Sequence, residues 1–127
     1  MDDTTNLKTL KQLVIDFRQA RDWEKHYTPK DTAISIALEA AELLEHYQWD
    51  TMMKEDKEEI ASELADILIF CFHFATLYDF DISTIFQAKL VKAAKKYPVS
   101  VFNKDSAAGV AEFKQIKRAY RQGKEQG

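Results

Sequence analysis

Leu7, Leu10, Val14 and Phe17 recur at spacings of three and four and share one face of a helix expected from about Thr5 to Arg21. Asp22 to Lys30 carries aromatics and Pro29 and reads as a loop. Pro29 or Asp31 opens a second helix to about Tyr47, since proline suits a first turn. Gln48 to Met53 is a connector. A third helix follows from about Lys54 to Tyr78, broken by Asp79-Phe80-Asp81. Asp81 or Ser83 caps a fourth, which runs to about Lys96 and stops at Tyr97-Pro98. Val99 to Ser106 reads as irregular. A last helix, about Ala107 to Arg121, has Val110, Phe113, Ile116 and Tyr120 as its apolar face, and the tail Gln122 to Gly127 is expected to fray. With 3 Gly and 2 Pro the chain has few turns to offer. A sandwich or barrel needs one every ~8–12 residues. The expected fold is therefore all-α. A four-helix-bundle-type core spans about residues 5–98 and an extra C-terminal helix about 107–121, in a single domain over 1–127.

Polar positions that interrupt this pattern carry the chemistry. The run Ala33 to Leu44 is apolar nearly all the way round, as in a buried helix. One polar stripe crosses it, formed by Ser35, Glu39, Glu42 and His46 at offsets of four, three and four. The third helix repeats the device: Glu63 and Asp66 share a face among Ile60, Leu64, Ile67 and Leu68. Side by side, the two helices bring four carboxylates into one small volume. Such crowding loses hydration and demands compensation by a cation or by hydrogen-bond donors. An oxygen-only set suits Mg²⁺, with Mn²⁺ as substitute, better than zinc. A di-iron bundle needs Glu-x-x-His on two helices. Here Glu42 is followed at the third position by Glu45, and Asp66 by Ile69. The plain alternative is two solvated faces paired with lysines. Asp66 speaks against it, because aspartate has no propensity reason to stand inside a helix.

Composition narrows the field. The chain is 127 residues, 46% hydrophobic and 31% charged, with a net charge of −3 that gives no reason to expect polymeric nucleic acid as partner. The single cysteine, Cys71, excludes an internal disulfide and stands in an apolar run where an inert thiol is expected. The acidic, polar start is unlike a signal peptide, and no uncharged apolar stretch reaches the ~18–20 residues of a membrane span. No membrane association and a cytoplasmic location are the expectations. His26 and His46 are optional additions to the site, and His73, seven residues after Asp66, reads as a satisfied helix histidine.

Glu39-Ala40-Ala41-Glu42, twenty intervening residues and Glu63-Leu64-Ala65-Asp66 together resemble the signature of the MazG-like family of all-α nucleotide pyrophosphohydrolases. Arg21-Asp22-Trp23-Glu24, Tyr47-Gln48-Trp49, and Lys89 through Lys95-Lys96-Tyr97-Pro98 extend the likeness toward its small dCTP pyrophosphatase branch, over roughly Leu10 to Pro98. The resemblance implies Mg²⁺-dependent cleavage between the α- and β-phosphates of a nucleoside triphosphate, giving a monophosphate and pyrophosphate. It also implies a helical homodimer, often paired into a homotetramer. Glu39, Glu42, Glu63 and Asp66 would be the metal ligands. Glu42, Glu39 or Glu63 would orient the attacking water. Trp23 and Trp49 match aromatics that enclose the base; the other reading makes them core anchors. Lys89 matches a lysine near the phosphates, and Lys92 and Lys96 add positive charge. Phe70 and Ala93 stand where the family often has Tyr and Asn. The role implied is house-cleaning of the nucleotide pool, with dCTP or another dNTP as substrate. dUTP or phosphoribosyl-ATP would be the substrate of related enzymes, and a non-catalytic helical dimerisation or regulatory module is the non-enzyme alternative.

Overall fold

Helices begin where the sequence supplies caps. In the computed structural model, which describes residues 1–49, 56–102 and 107–123, α1 spans Leu7–Gln19, α2 Pro29–Glu45, α3 Lys57–Leu77, α4 Ile82–Lys96, α5 Val99–Phe102 and α6 Ala107–Arg121. The Asn6 side chain accepts from the Thr9 amide at 2.9 Å and opens α1. Thr28 and Asp31 form a reciprocal box at α2: the Asp31 amide donates to Thr28 Oγ1 at 3.2 Å, and the Thr28 amide donates to Asp31 Oδ2 at 2.9 Å. The Thr28 amide, and the Thr28 hydroxyl at 2.7 Å, both donate to the Asp31 carboxylate and hold it below its usual range. Asp56 caps α3 through the Glu59 amide at 3.2 Å. Asp79, in the left-handed region at φ 53°, turns the chain after α3.

Two differences from the sequence expectation are local. Trp23–His26 is a turn of 3₁₀ helix rather than an irregular loop. Asp22 enters the left-handed region before it at φ 53°, and its carboxylate meets Lys25 Nζ at 2.8 Å. Val99–Phe102 winds into α5, started by Pro98, whose carbonyl accepts from the Val101 amide at 3.0 Å. Most of the expected connector Gln48 to Met53, and the end of the tail, lie outside the described residues.

The chain divides into two compact units, Met1–Ile82 and Ser83–Gly127. In the first, α3 is the central helix, packed along α2 and against α1. Although the sequence has no uncharged stretch of spanning length, α3 contains an 18-residue window of mean hydropathy 1.6 and could cross a membrane by length and composition. It packs along α2 and against α1, yet Leu64, Leu68, Ile69 and Leu77 keep much of its apolar surface exposed. The buried set here is partly polar: Arg18, Thr32 and His73 join Ala75. Leu13, Phe17, Leu38, Leu44, Leu64 and Leu68 stay substantially exposed. In the second unit α5 packs on α6 with Val101 buried. The Tyr97 and Phe113 rings meet at 5.4 Å, and Ile85, Phe86, Leu90 and Val91 are exposed.

Candidate functional site

The α2–α3 seam is antiparallel. His46, just past the end of α2, lies near Glu63 early in α3, and Glu39, two turns back along α2, reaches Asp66. One carboxylate oxygen from each of Glu39, Glu63 and Asp66 falls within 4.8 Å of the others, and all three residues are half-buried. Glu42 stands at the exposed edge of this triad and shares a hydrogen bond with Glu39. The structure thus unites three of the four expected carboxylates directly and joins the fourth through Glu39.

The cost of that crowding is visible on one group. Burial, then the hydrogen bond and charge of Glu42, then the charges of Asp66 and Glu63, raise the Glu39 carboxyl above its usual range. Among the described residues, no lysine or arginine comes within ion-pair distance of any of the four. That disfavours two solvated faces paired with lysines. The donor set is all oxygen, of hard carboxylate type, half-buried and short of compensating charge. It fits a hard divalent cation.

Neighbouring groups divide into those that serve the triad and those that do not. His46 Nε2 lies 3.5 Å from Glu63 Oε1, too long for a good hydrogen bond but close enough to bias that carboxylate's orientation. Ser35, the first member of the polar stripe, turns its hydroxyl back to the Asp31 carbonyl at 3.1 Å. Trp23 packs edge-on to Phe17, with ring centroids 5.7 Å apart, and Arg21 lies 3.7 Å over the other ring of that pair. Trp23 is 41% exposed and Trp49 is 90% exposed. Neither is a core anchor within this chain. Lys89, Lys92 and Lys96 all belong to α4 in the second unit. Lys89 and Lys92 are exposed, whereas the Lys96 ammonium lies over the rings of Tyr97 and Tyr120, 5.2 and 4.3 Å from their centroids. Cys71 is half-buried, and burial pushes its thiol up, away from the thiolate a nucleophile needs.

The sequence reading missed a second polar cluster. Arg18, from α1, is only 3% exposed; its guanidinium lies 4.7 Å over the Tyr27 ring, and Nε and Nη2 meet no partner among the described residues. His73 is equally buried, and its Nε2 also lacks a partner there, so it is not the satisfied histidine expected. Burial and the nearby Arg18 charge lower the His73 pKa to about 4. The signal for Arg18 lay in its position four residues after Val14, on the continuation of the apolar stripe. His73 on α3 and Thr32 on α2 lie seven residues from Asp66 and Glu39 respectively, about two helical turns along the same faces.

Two apolar grooves of about 410 Å³ flank α3. One is lined by Ala40, Leu43, Leu44, Tyr47, Ile60 and Leu64 from the α2 side. The other lies against α1, where Leu10, Val14 and Phe17 face Leu68, Ile69 and Phe72.

With this geometry in hand, comparison with known proteins is informative. Residues 34–109 match the MazG-like family. The chain is 25% identical over 101 residues to dCTP pyrophosphatase 1 of Rattus norvegicus, covering 73% of this chain and 59% of that protein. It is 24% identical over 108 residues to dCTP pyrophosphatase 1 of Homo sapiens, covering 79% and 64%. The chain therefore spans about three fifths of the length of these curated relatives. Among solved structures, a pyrophosphatase from Archaeoglobus fulgidus is similar, with a TM-score of 0.63 and 33% identity over 72% of this chain and 92% of that one.

Proposed function

This chain belongs to the MazG-like family, whose match covers all four carboxylates, and from that premise we propose that it hydrolyses nucleoside triphosphates between the α- and β-phosphates. The observation that carries this reading is the convergence of Glu39, Glu63 and Asp66 without a basic partner among the described residues. These three would hold Mg²⁺, with Mn²⁺ as substitute. When bound, the cation supplies neutralising charge for the triphosphate and for the transition state. The protein's own groups do the rest. Glu42, exposed and tied to Glu39, would accept a proton from the water that attacks the α-phosphorus as pyrophosphate departs. His46 biases the rotamer of Glu63. Trp23, backed by Phe17, and Trp49 offer flat, exposed surfaces for a base. Lys89, Lys92 and Lys96 are the candidates for phosphate contacts. Phe70 and Ala93 leave phosphate contacts to these lysines where the family often has polar groups.

dCTP is the first substrate to try, because the curated relatives carry that name. Pyrophosphate release should be followed across dNTPs and NTPs, with Mg²⁺ and with EDTA, beside Glu42→Gln. The expected result is metal-dependent formation of monophosphate and pyrophosphate that is lost in the variant. A folded protein that turns over no nucleotide would sink the proposal and favour a non-catalytic helical module.

The same reading includes assembly as a homodimer or homotetramer. Leu38, Leu44, Leu64 and Leu68 expose apolar surface beside the grooves on α3, more than a solitary chain ordinarily leaves bare. Sedimentation equilibrium at micromolar concentration should return a multiple of the 14.7 kDa chain. A monomer there would contradict it.

A further inference from the structure

Charge is distributed unevenly along this chain. Residues 83–127 hold ten Lys and Arg against three Asp and Glu, net +7, whereas residues 1–82 hold eight against eighteen, net −10. The excess is carried by two helices: α4 has four lysines and no acidic residue, and α6 has four Lys and Arg against one Glu. Lys114, Lys117, Arg118 and Arg121 stand at positions i, i+3, i+4 and i+7, one exposed stripe about 10 Å long. These four side chains line a concavity of about 150 Å³. Glu112, the helix's one acidic residue, is 200° around the axis from Lys114 and so lies on the opposite face. Among the described residues no carboxylate pairs with the stripe, and its one ring contact is Lys117 at 5.9 Å from the Phe113 centroid.

Arg118 and Arg121 lie in the last turn, where the helix dipole favours cations. That does not account for Lys114 and Lys117, a turn or more earlier. Like charges three and four residues apart repel, so an anion held among them would relieve the helix as well as bind to it. The concavity is smaller than the ~300 Å³ at which pockets begin to take whole small molecules, and it has four cationic walls. That suits a few linked phosphates rather than a nucleoside. Two guanidinium groups add the forked geometry that matches phosphate oxygens.

We infer that the basic stripe of α6 is a binding site for a short oligophosphate anion of the pyrophosphate or triphosphate type. The site does not depend on the carboxylate cluster or on a metal. Its test is calorimetric titration of the full chain with inorganic pyrophosphate and tripolyphosphate, in EDTA at low salt. The wild type is compared with Lys114→Gln/Arg118→Gln and with Lys8→Gln/Lys30→Gln, a control that removes the same charge from the first unit. Binding should weaken about tenfold or more in the α6 variant and stay within about twofold in the control, with affinity falling steeply as salt rises. If circular dichroism shows the first α6 variant unfolded, Lys117→Gln/Arg121→Gln takes its place with the same expectation. No binding by the wild type, or equal losses in α6 and control variants, would overturn the inference. So would tighter binding of a single-stranded oligonucleotide than of a tripolyphosphate of matched charge, which would identify a nucleic-acid surface instead.

Discussion

Asp66→Asn is expected to lower kcat/KM for the preferred nucleotide by about 10²–10³-fold, the range associated with deleting one preorganised charge-stabilising group. In EDTA the same variant should unfold roughly 2–4 °C higher than wild type. The two effects have one origin. Glu39, Glu63 and Asp66 place oxygens within 4.8 Å of one another, and burial, then Glu42, then the charges of Asp66 and Glu63 raise the Glu39 pKa. Asparagine keeps the shape, removes one charge and leaves the remaining carboxylates less burdened. On the proposed assignment the wild type alone retains the full ligand set, so saturating Mg²⁺ should stabilise it and barely move the variant. Pyrophosphate release and thermal unfolding, each with and without Mg²⁺, provide the check. A variant that loses activity by losing its fold in both conditions would make Asp66 a structural residue.

A second large effect should appear between about pH 6.5 and pH 4, in stability rather than turnover. His73 is buried near the Arg18 guanidinium, which itself lies over the Tyr27 ring. Its folded-state pKa, about 4, lies below the ordinary 6.5, first because burial disfavours the imidazolium and then because Arg18 repels it. As pH falls through 6.5 the unfolded chain takes up this proton while the folded chain refuses it. The contribution is therefore complete above about pH 6.5 and lost progressively down to about pH 4, by at most about 3 kcal/mol. Urea unfolding at pH 7.5 and 4.5 should show that loss, and His73→Gln should remove most of the slope between them. Identical slopes in the two proteins would refute it. Arg18 stays charged throughout this range and acts only as the fixed positive neighbour of His73.

The carboxylate cluster could be read before any coordinates because it breaks a pattern. Glu39, Glu63 and Asp66 stand in helices that are otherwise apolar on almost every side, so each side chain has few places to go. Helix starts were legible to within a few residues, Pro29 at the first turn of α2 most closely, while the caps Asn6, Thr28 and Asp56 that fix them were not singled out. The turn Trp23–His26 was harder: four residues give no period, and its entry depends on a left-handed Asp22. The Arg18–His73 cluster was hidden for a different reason. Each helix, taken alone, shows one polar residue at a boundary position, and only tertiary packing reveals that α1 and α3 bury Arg18 and His73 near each other. Glu42 illustrates the limit of spacing as a guide. It shares the stripe of Glu39, yet a single step around α2 leaves it at the exposed edge of the triad.

The composition of α3 bears on how the newly made chain finds its compartment. A 21-residue helix of this hydropathy, emerging from a ribosome, is a client that membrane-insertion machinery could mistake for a span. Two properties oppose that error. α1 and α2 precede α3 in the chain, so its packing partners already exist when it appears. Asp66 also stands one residue from the midpoint of the helix, where a charged aspartate adds about 2.5–3.5 kcal/mol to insertion, and Glu63 increases that penalty. The residues that crowd charge into the site thus also raise the cost of placing α3 in a bilayer. Neutralising them would bring α3 closer to the composition of a lipid-spanning helix.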